Sequence, residues 1–202
     1  MRTNFSGSCR DRGTCVFIGT SITALRPANG INLPQTFCAI ISIARGFPFY
    51  VNAGVPSDTT TLMLARYERD VLSKYPGMIA IEVGPNDEFY GVGTTAFNSN
   101  VRTMVQMAKT AGIAVTIINP FLVRDPTHDS GVNAYRTLAA TICSDTSSAF
   151  FDIYGTLSGL SSGTLDTLYI TADNYHFTVA GQAYIAARAS DADKAATFRS
   201  FL

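Results

Sequence analysis

Cys15-Val-Phe-Ile-Gly19 is a run of four apolar residues closing on a glycine, and Thr20-Ser21-Ile-Thr23 follows it directly. A short run of β-branched and aromatic residues ending at a turn signal reads as a buried strand. Met78-Ile-Ala-Ile-Glu-Val83, which runs into Gly84-Pro85-Asn86-Asp87, has the same character, as does Ala114-Val-Thr-Ile-Ile118. Phe49-Tyr-Val-Asn52 and Ala149-Phe-Phe-Asp-Ile153 complete a set of five. Between the strands lie stretches at helical spacing. One covers residues 34–44 and is closed by Gly46 and Pro48. A second covers 61–75 and stops at Pro76-Gly77. Phe97, Val101, Met104, Val105 and Ala108 mark a third, ending at Gly112, and Tyr135, Leu138, Ala139 and Ile142 mark a fourth. A loop rich in Ser, Gly and Thr is expected over 155–175, with helix from Val179 onward.

Alternation of helices with continuously apolar strands implies a parallel sheet covered on both faces. Right-handed crossovers make it a doubly wound, three-layer α/β/α sandwich with a five-stranded parallel sheet. Ligands in such sheets bind outside the carboxyl ends of the strands. That rule selects four places: 19–23, 52–60, 84–87, and the segment after Ile153.

Composition narrows the function classes. The chain has 202 residues, 47% of them apolar and 15% charged, against a usual ~25% charged. This is enough for one domain with a full core and excludes intrinsic disorder. Fifteen basic side chains balance fifteen acidic ones, so no net field draws in nucleic acid or anionic lipid. No apolar run approaches the ~20 residues of a membrane span. Residues 1–12 are polar and lack the apolar core of a secretory signal, and 1–13 is read as an N-terminal extension. The compartment stays open, with a module of a larger extracellular or virion-associated protein among the options. The cysteines, Cys9, Cys15, Cys38 and Cys143, form no Cys-x-x-Cys pair and have no histidine at ligand spacing, which argues against zinc. They read as buried free thiols; a Cys9–Cys15 bridge is the alternative.

Three motifs carry chemistry. Ser21 sits at a strand-to-helix turn, where its hydroxyl reaches the sheet edge. Asn86 follows the third strand and can aim its amide into the same space. Near the C-terminus, Asp173-Asn-Tyr-His176 places a carboxylate three residues before an imidazole, within reach of Nδ1, which leaves Nε2 free as a base. Each alone is ambiguous, since serine also caps helices and Asn and Asp also form turns.

Taken in order, the chain reads Gly19-x-Ser21, then Asn52-x-Gly54 and Asp58-Thr59, then Gly84-x-Asn86-Asp87, then Asp173-x-x-His176. This series resembles the SGNH (GDSL-type) hydrolase family, over most of the chain. The resemblance implies a three-layer sandwich around a five-stranded parallel sheet, with no metal or cofactor. It implies Ser21 as nucleophile, His176 as general base and then acid, and Asp173 as the residue that orients it. The oxyanion hole would combine the Ser21 N–H, a backbone N–H of the second block and the Asn86 amide. Two departures stand out. Thr20 occupies the position where the family usually has Asp, which alters the hydrogen bonding that shapes the turn. Ser57 occupies the usual oxyanion glycine position, with Gly54 as the alternative donor; a Cβ at Ser57 narrows the approach or demands an unusual φ.

Other residues have plainer readings. His128 reads as a solvated loop residue within Asp125-Pro-Thr-His-Asp129, Asp87 as a turn carboxylate, Asp152 as a backbone cap and Arg124 as solvated surface. Phe89, Tyr90 and Tyr175 flank the expected site, where they would pack or stack on a sugar ring. Loops rich in Ser, Thr, Gly and Asn offer no apolar acyl tunnel. The expected function is therefore a serine esterase that removes small acyl groups, acetyl above all, from a carbohydrate or other small ester. A lipase, lysophospholipase or thioesterase is the alternative within enzymes. A carbohydrate-binding module on an inactive scaffold is the alternative outside them, although binding alone needs no base aligned on a serine.

Overall fold

The structure, a computed structural model, describes residues 13–25, 30–119, 124–170 and 173–194. Five strands form one parallel sheet: β1 (Thr14–Gly19), β2 (Phe49–Gly54), β3 (Met78–Glu82), β4 (Ala114–Ile118) and β5 (Ala149–Phe151), in the order β2-β1-β3-β4-β5. Among the described residues eight α-helices accompany them: α1 (Phe37–Ala44), α2 (Thr60–Asp70), α3 (Pro85–Phe89), α4 (Thr94–Thr110), α5 (Pro126–Thr146), α6 (Ile153–Leu157), α7 (Ser162–Leu168) and α8 (Val179–Lys194). The expected α/β/α sandwich is what forms.

The period of two along a strand divides the core between the faces. Cys15, Phe17, Met78 and Ala80 pack with Phe37, Cys38 and Ile41 of α1 and with Ile185 and Ala189 of α8. Val16, Ile18, Ile79 and Ile81 pack on the other face with Met63 and Tyr67 of α2, Phe97, Val101 and Met104 of α4, and Ala139 and Ile142 of α5. Both faces are covered, so the central strands carry apolar residues at successive positions. Cys15, Cys38 and Cys143 are buried free thiols within these cores. Cys9, and all but Gly13 of the expected N-terminal extension, lie outside the described residues.

The strand order places a topological switch at the carboxyl ends of β1 and β3, because the chain leaves β1 toward β2 and then crosses back to β3. A crevice opens at such a point. Gly19 and Gly54 close the register of β1 on β2, and the backbone packs tightly there. A Cβ on Gly54 would stand 2.7 Å from the Thr23 carbonyl carbon and 2.8 Å from Ala24 Cα.

Several boundaries differ from the sequence reading, each for a local reason. The helix expected over 34–44 divides at Thr36, whose backbone is extended and whose hydroxyl caps Ala39 N–H; a 3-10 turn, Leu33–Gln35, precedes it. The fourth helix begins nine residues before Tyr135, because Asp125 caps Thr127 N–H and Pro126 supplies the first helical residue. The loop expected over 155–175 contains the end of α6 and all of α7. Asp152 caps the first through Gly155 N–H, and Ser161 caps the second through Thr164 N–H. Only Leu165 and Leu168 of α7 are buried, an apolar signal too sparse to stand out in Ser/Gly/Thr sequence.

Gly54→Ala should destabilise the protein by about 1–3 kcal/mol, since the added methyl meets backbone that cannot move aside. A urea midpoint that falls with an unchanged m-value would register this; an unshifted midpoint would contradict the close approach.

Candidate active site

Ser21 lies in the turn that follows β1. Its Oγ stands 2.8 Å from His176 Nε2, and His176 Nδ1 stands 2.8 Å from Asp173 Oδ2. A carboxylate only accepts, so Nδ1 carries the proton and Nε2 is left to accept from the serine hydroxyl. The segment carrying Asp173 and His176 is closed on itself. Tyr169 bridges Phe177, and Ile170 N–H donates to His176 O at 2.7 Å. Asn174 takes a left-handed conformation, φ 58°, which lets the chain turn between them. Asp173 Oδ1 accepts the N–H groups of Tyr175 and His176 at 2.9 and 3.0 Å. Partial burial pushes the Asp173 carboxyl up, but these donors and the imidazole outweigh it and hold its pKa below the ordinary value.

The second expected block meets the site as a tight turn. Asp58 N–H donates to Val55 O at 3.2 Å, with Pro56 and Ser57 at the centre. Pro then residue-with-positive-φ is the pattern of a type II turn, whose third position favours glycine. Ser57 sits there with φ 66°, the unusual conformation its Cβ was expected to require. Gly54 is not placed to serve instead, because its N–H already donates to Asn52 Oδ1 at 3.0 Å. Ser57 N–H has no acceptor among the described residues. Asn86, at the start of α3, donates from Nδ2 to Asp58 O at 2.9 Å, which uses one amide hydrogen and leaves the other. Gly84, φ 126°, makes the backbone turn from β3 into α3, with Pro85 at its first position.

Ser21, Ser57, Asn86 and His176 line one open cavity of about 480 Å³. Phe89, Tyr90 and Tyr175 form part of its wall, as expected of residues flanking the site. His128 lines it too, and is not a loop residue. It lies in the first turns of α5, with Nδ1 2.8 Å from Glu88 Oε2. Arg124 is likewise not free surface, since it pairs with Asp166 at 2.5 Å. Asp87 is buried within α3 and accepts both the N–H and the hydroxyl of Thr60, at 3.0 and 2.5 Å. Asp152 caps α6 as expected. Among the described residues no three His, Cys, Asp or Glu side chains cluster as metal ligands would.

Two residues that hold the site escaped the sequence reading. Glu82, at the end of β3, is fully buried beneath the Ser21 turn. Its Oε2 accepts Thr20 N–H at 2.7 Å, Thr20 Oγ1–H at 2.8 Å and Thr23 Oγ1–H at 3.2 Å. A charged residue within an apolar strand run was the available signal. Arg66 of α2, also buried, donates to Asp58 Oδ2 at 2.6 Å and to Gly19 O at 3.4 Å. It thereby fastens the Ser57 turn to the end of β1.

A hydroxyl, an imidazole and a carboxylate in series at the carboxyl edge of a doubly wound sheet is the geometry of a serine-hydrolase-type site, able to pass a proton from serine to imidazole while the carboxylate steadies the ring. Residues 17–184 match the model of the GDSL-like lipase/acylhydrolase family, and the chain belongs to that family. It is 28% identical over 109 residues to esterase TesA of Pseudomonas aeruginosa, a stretch covering 52% of this chain and 53% of that protein. It is 26% identical over 153 residues to the acetylxylan esterase of Geobacillus stearothermophilus, covering 67% and 68%. The chain thus spans about half the length of the first relative and two thirds of the second. The fold is also that of the lipase/acylhydrolase from Enterococcus faecalis, with a TM-score of 0.76 at 24% identity over 91% of this chain and 96% of that one.

Burial raises the Glu82 pKa; the donors from Thr20 and Thr23 pull it down less strongly, and the Asp87 charge adds to the rise. An acid whose folded pKa is raised stabilises the protein at and below the ordinary carboxylate range, and that stability is lost as pH rises above it. Glu82→Gln does not titrate and keeps an acceptor oxygen for all three donors. Its Tm relative to wild type should therefore increase from about pH 4 to about pH 8. A relative Tm that decreases over this range would mean that the native state favours the anion.

Proposed function

We propose that the protein is a serine esterase that removes small acyl groups, acetyl above all, from a carbohydrate or similar polyhydroxy alcohol. The observation that carries this reading is the 2.8 Å contact of His176 Nε2 with Ser21 Oγ, backed by Asp173 on Nδ1. Serine at its free pKa is a poor nucleophile and needs such a base. Ser21 Oγ attacks the ester carbonyl as its proton passes to Nε2. The tetrahedral oxyanion forms against the Ser21 and Ser57 N–H groups and the remaining Asn86 amide hydrogen. Its collapse breaks the bond to the alcohol, which leaves with the proton from His176. Water then attacks the acyl-enzyme, gives its proton to Nε2, and the carboxylic acid departs as Ser21 is restored.

The small-acyl preference is supported by Ser57, whose Cβ stands where the family usually has glycine. An open cavity walled by aromatic and polar side chains suits a sugar better than a long acyl chain, and one relative is named for the deacetylation of xylan.

A fluorophosphonate should label Ser21 stoichiometrically, and His176→Ala should lose the label. Ser21→Ala and His176→Ala should each abolish turnover. Asn86→Ala should lower kcat by about 10²–10³, the usual effect of one lost oxyanion donor. Near-wild-type rates in Ser21→Ala would refute the mechanism. In a series of acyl esters, activity should be highest for acetyl and fall with length. A maximum above about C8 would refute the small-acyl reading, because an apolar tunnel gains roughly 0.8 kcal/mol per buried CH₂.

A further inference from the structure

We propose that Glu88 and His128 form a subsite for a hydroxyl group on the alcohol portion of the ester, a specificity element separate from the acyl-transfer machinery. The inference rests on the esterase reading of the cavity and deepens it. Two imidazoles line the cavity, His176 and His128, and each is backed by a carboxylate on Nδ1. In one, Asp173 takes the His176 Nδ1 proton and Nε2 meets the hydroxyl of Ser21. In the other, Glu88 Oε2 lies 2.8 Å from His128 Nδ1, and Nε2 has no partner among the described residues. The second pair thus offers the same atom as the first, in the same cavity, with no protein hydroxyl on it.

The chemistry of the ring selects the ligand. With the Nδ1 proton given to Glu88, a neutral His128 presents a lone pair at Nε2, and a protonated one presents an N–H. A hydroxyl both donates and accepts, so it matches either state; an alkyl group matches neither. The surroundings fit a pyranose. The His128 ring meets Phe89 edge-on, with centroids 4.7 Å apart, and Phe89 meets Tyr175 edge-on at 5.4 Å. Tyr175 OH donates to Asp125 Oδ2, on the residue that caps α5, at 3.2 Å. This gives a rigid apolar wall bearing one free polar atom, the arrangement that orients a small ligand.

A second observation points the same way. Gly131 lies within α5, three residues after His128, where glycine costs about 1 kcal/mol relative to alanine. A Cβ there would stand 2.7 Å from both Glu88 Cγ and Glu88 Oε1. The missing side chain makes the room in which the Glu88 carboxylate sits against His128.

The test compares two acetyl esters of similar ring size: a monoacetylated methyl xyloside, which keeps its other hydroxyls, and cyclohexyl acetate, which has none. In His128→Ala the ratio of kcat/KM for the xyloside to that for cyclohexyl acetate should fall by about tenfold or more, mostly through KM. Gly131→Ala, which keeps the imidazole but displaces Glu88, should lower the same ratio. Equal losses on both esters would assign His128 a purely structural role, and an unchanged ratio in both variants would remove the subsite; either overturns the proposal. Failure of the underlying reading looks different. Wild-type protein that labels at Ser21 yet hydrolyses neither ester refutes the substrate class, and wild-type protein that does not label refutes the esterase itself. The subsite falls with either.

Discussion

One oxygen atom, Glu82 Oε2, holds the turn on which the site depends. It accepts from Thr20 N–H, Thr20 Oγ1 and Thr23 Oγ1, and so decides where the chain between Gly19 and Thr23 runs and where Ser21 is presented. The room is exact on its other side as well: a Cβ on Gly19 would stand 2.6 Å from the same oxygen. Glu82 closes β3, and the Ser21 turn leaves the neighbouring β1. The contact therefore spans the switch point at which the crevice opens. The Thr20 departure from the family pattern is intelligible here. Threonine supplies a hydroxyl donor to Glu82 and, through the same oxygen, an acceptor for Ile22 N–H at 3.2 Å. A carboxylate at that position would face another carboxylate across a buried gap, and like charges there are costly.

The opposite wall is held by a cation. Arg66 grips Asp58 and reaches Gly19 O, so the Ser57 turn cannot drift from the end of β1. The pair is almost fully buried, and removing one partner of such a pair typically costs about 3–5 kcal/mol. Rigidity of this kind makes the left-handed φ of Ser57 tolerable. A non-glycine residue with φ 66° persists only where its surroundings over-determine it. Pro56 ahead of it, the Asp58–Arg66 pair behind it and the Asn86 amide on the Asp58 carbonyl do so together.

Much of this was legible in the sequence, for reasons that differ between elements. The strands were readable because a doubly covered sheet demands unbroken apolar runs. Ser21, Asn86, Asp173 and His176 were readable because each follows a sheet strand or lies in a motif with a short, fixed spacing. Glu82 and Arg66 were not. Glu82 meets Thr20 from 62 residues away, and Arg66, although it pairs with Asp58 eight residues before it, reaches Gly19 across 47; no local pattern announces either long contact. His128 was misplaced for a different reason. Ser130, Gly131 and Asn133 weaken the helical signal of α5 ahead of Tyr135, although Asp125-Pro126 carried the start signal. The helices in 155–175 were hidden by composition alone.

The five-residue helix α3 joins these parts into one device. Successive residues of a helix point about 100° apart, so four of them face four directions. Asn86 reaches the Ser57 turn through Asp58 O, Asp87 reaches Thr60 at the start of α2, Glu88 reaches His128 on α5, and Phe89 packs on Tyr175, the neighbour of His176. Too short to be stable alone, the helix takes its position from these contacts. The amide proposed to meet the oxyanion and the carboxylate that holds the second imidazole are consequently two residues apart on one rigid turn. The proposed acyl-transfer and alcohol-recognition roles are thus carried by different side chains of one short helix, Asn86 on the Asp58 carbonyl and Glu88 on His128, each held by its own contact.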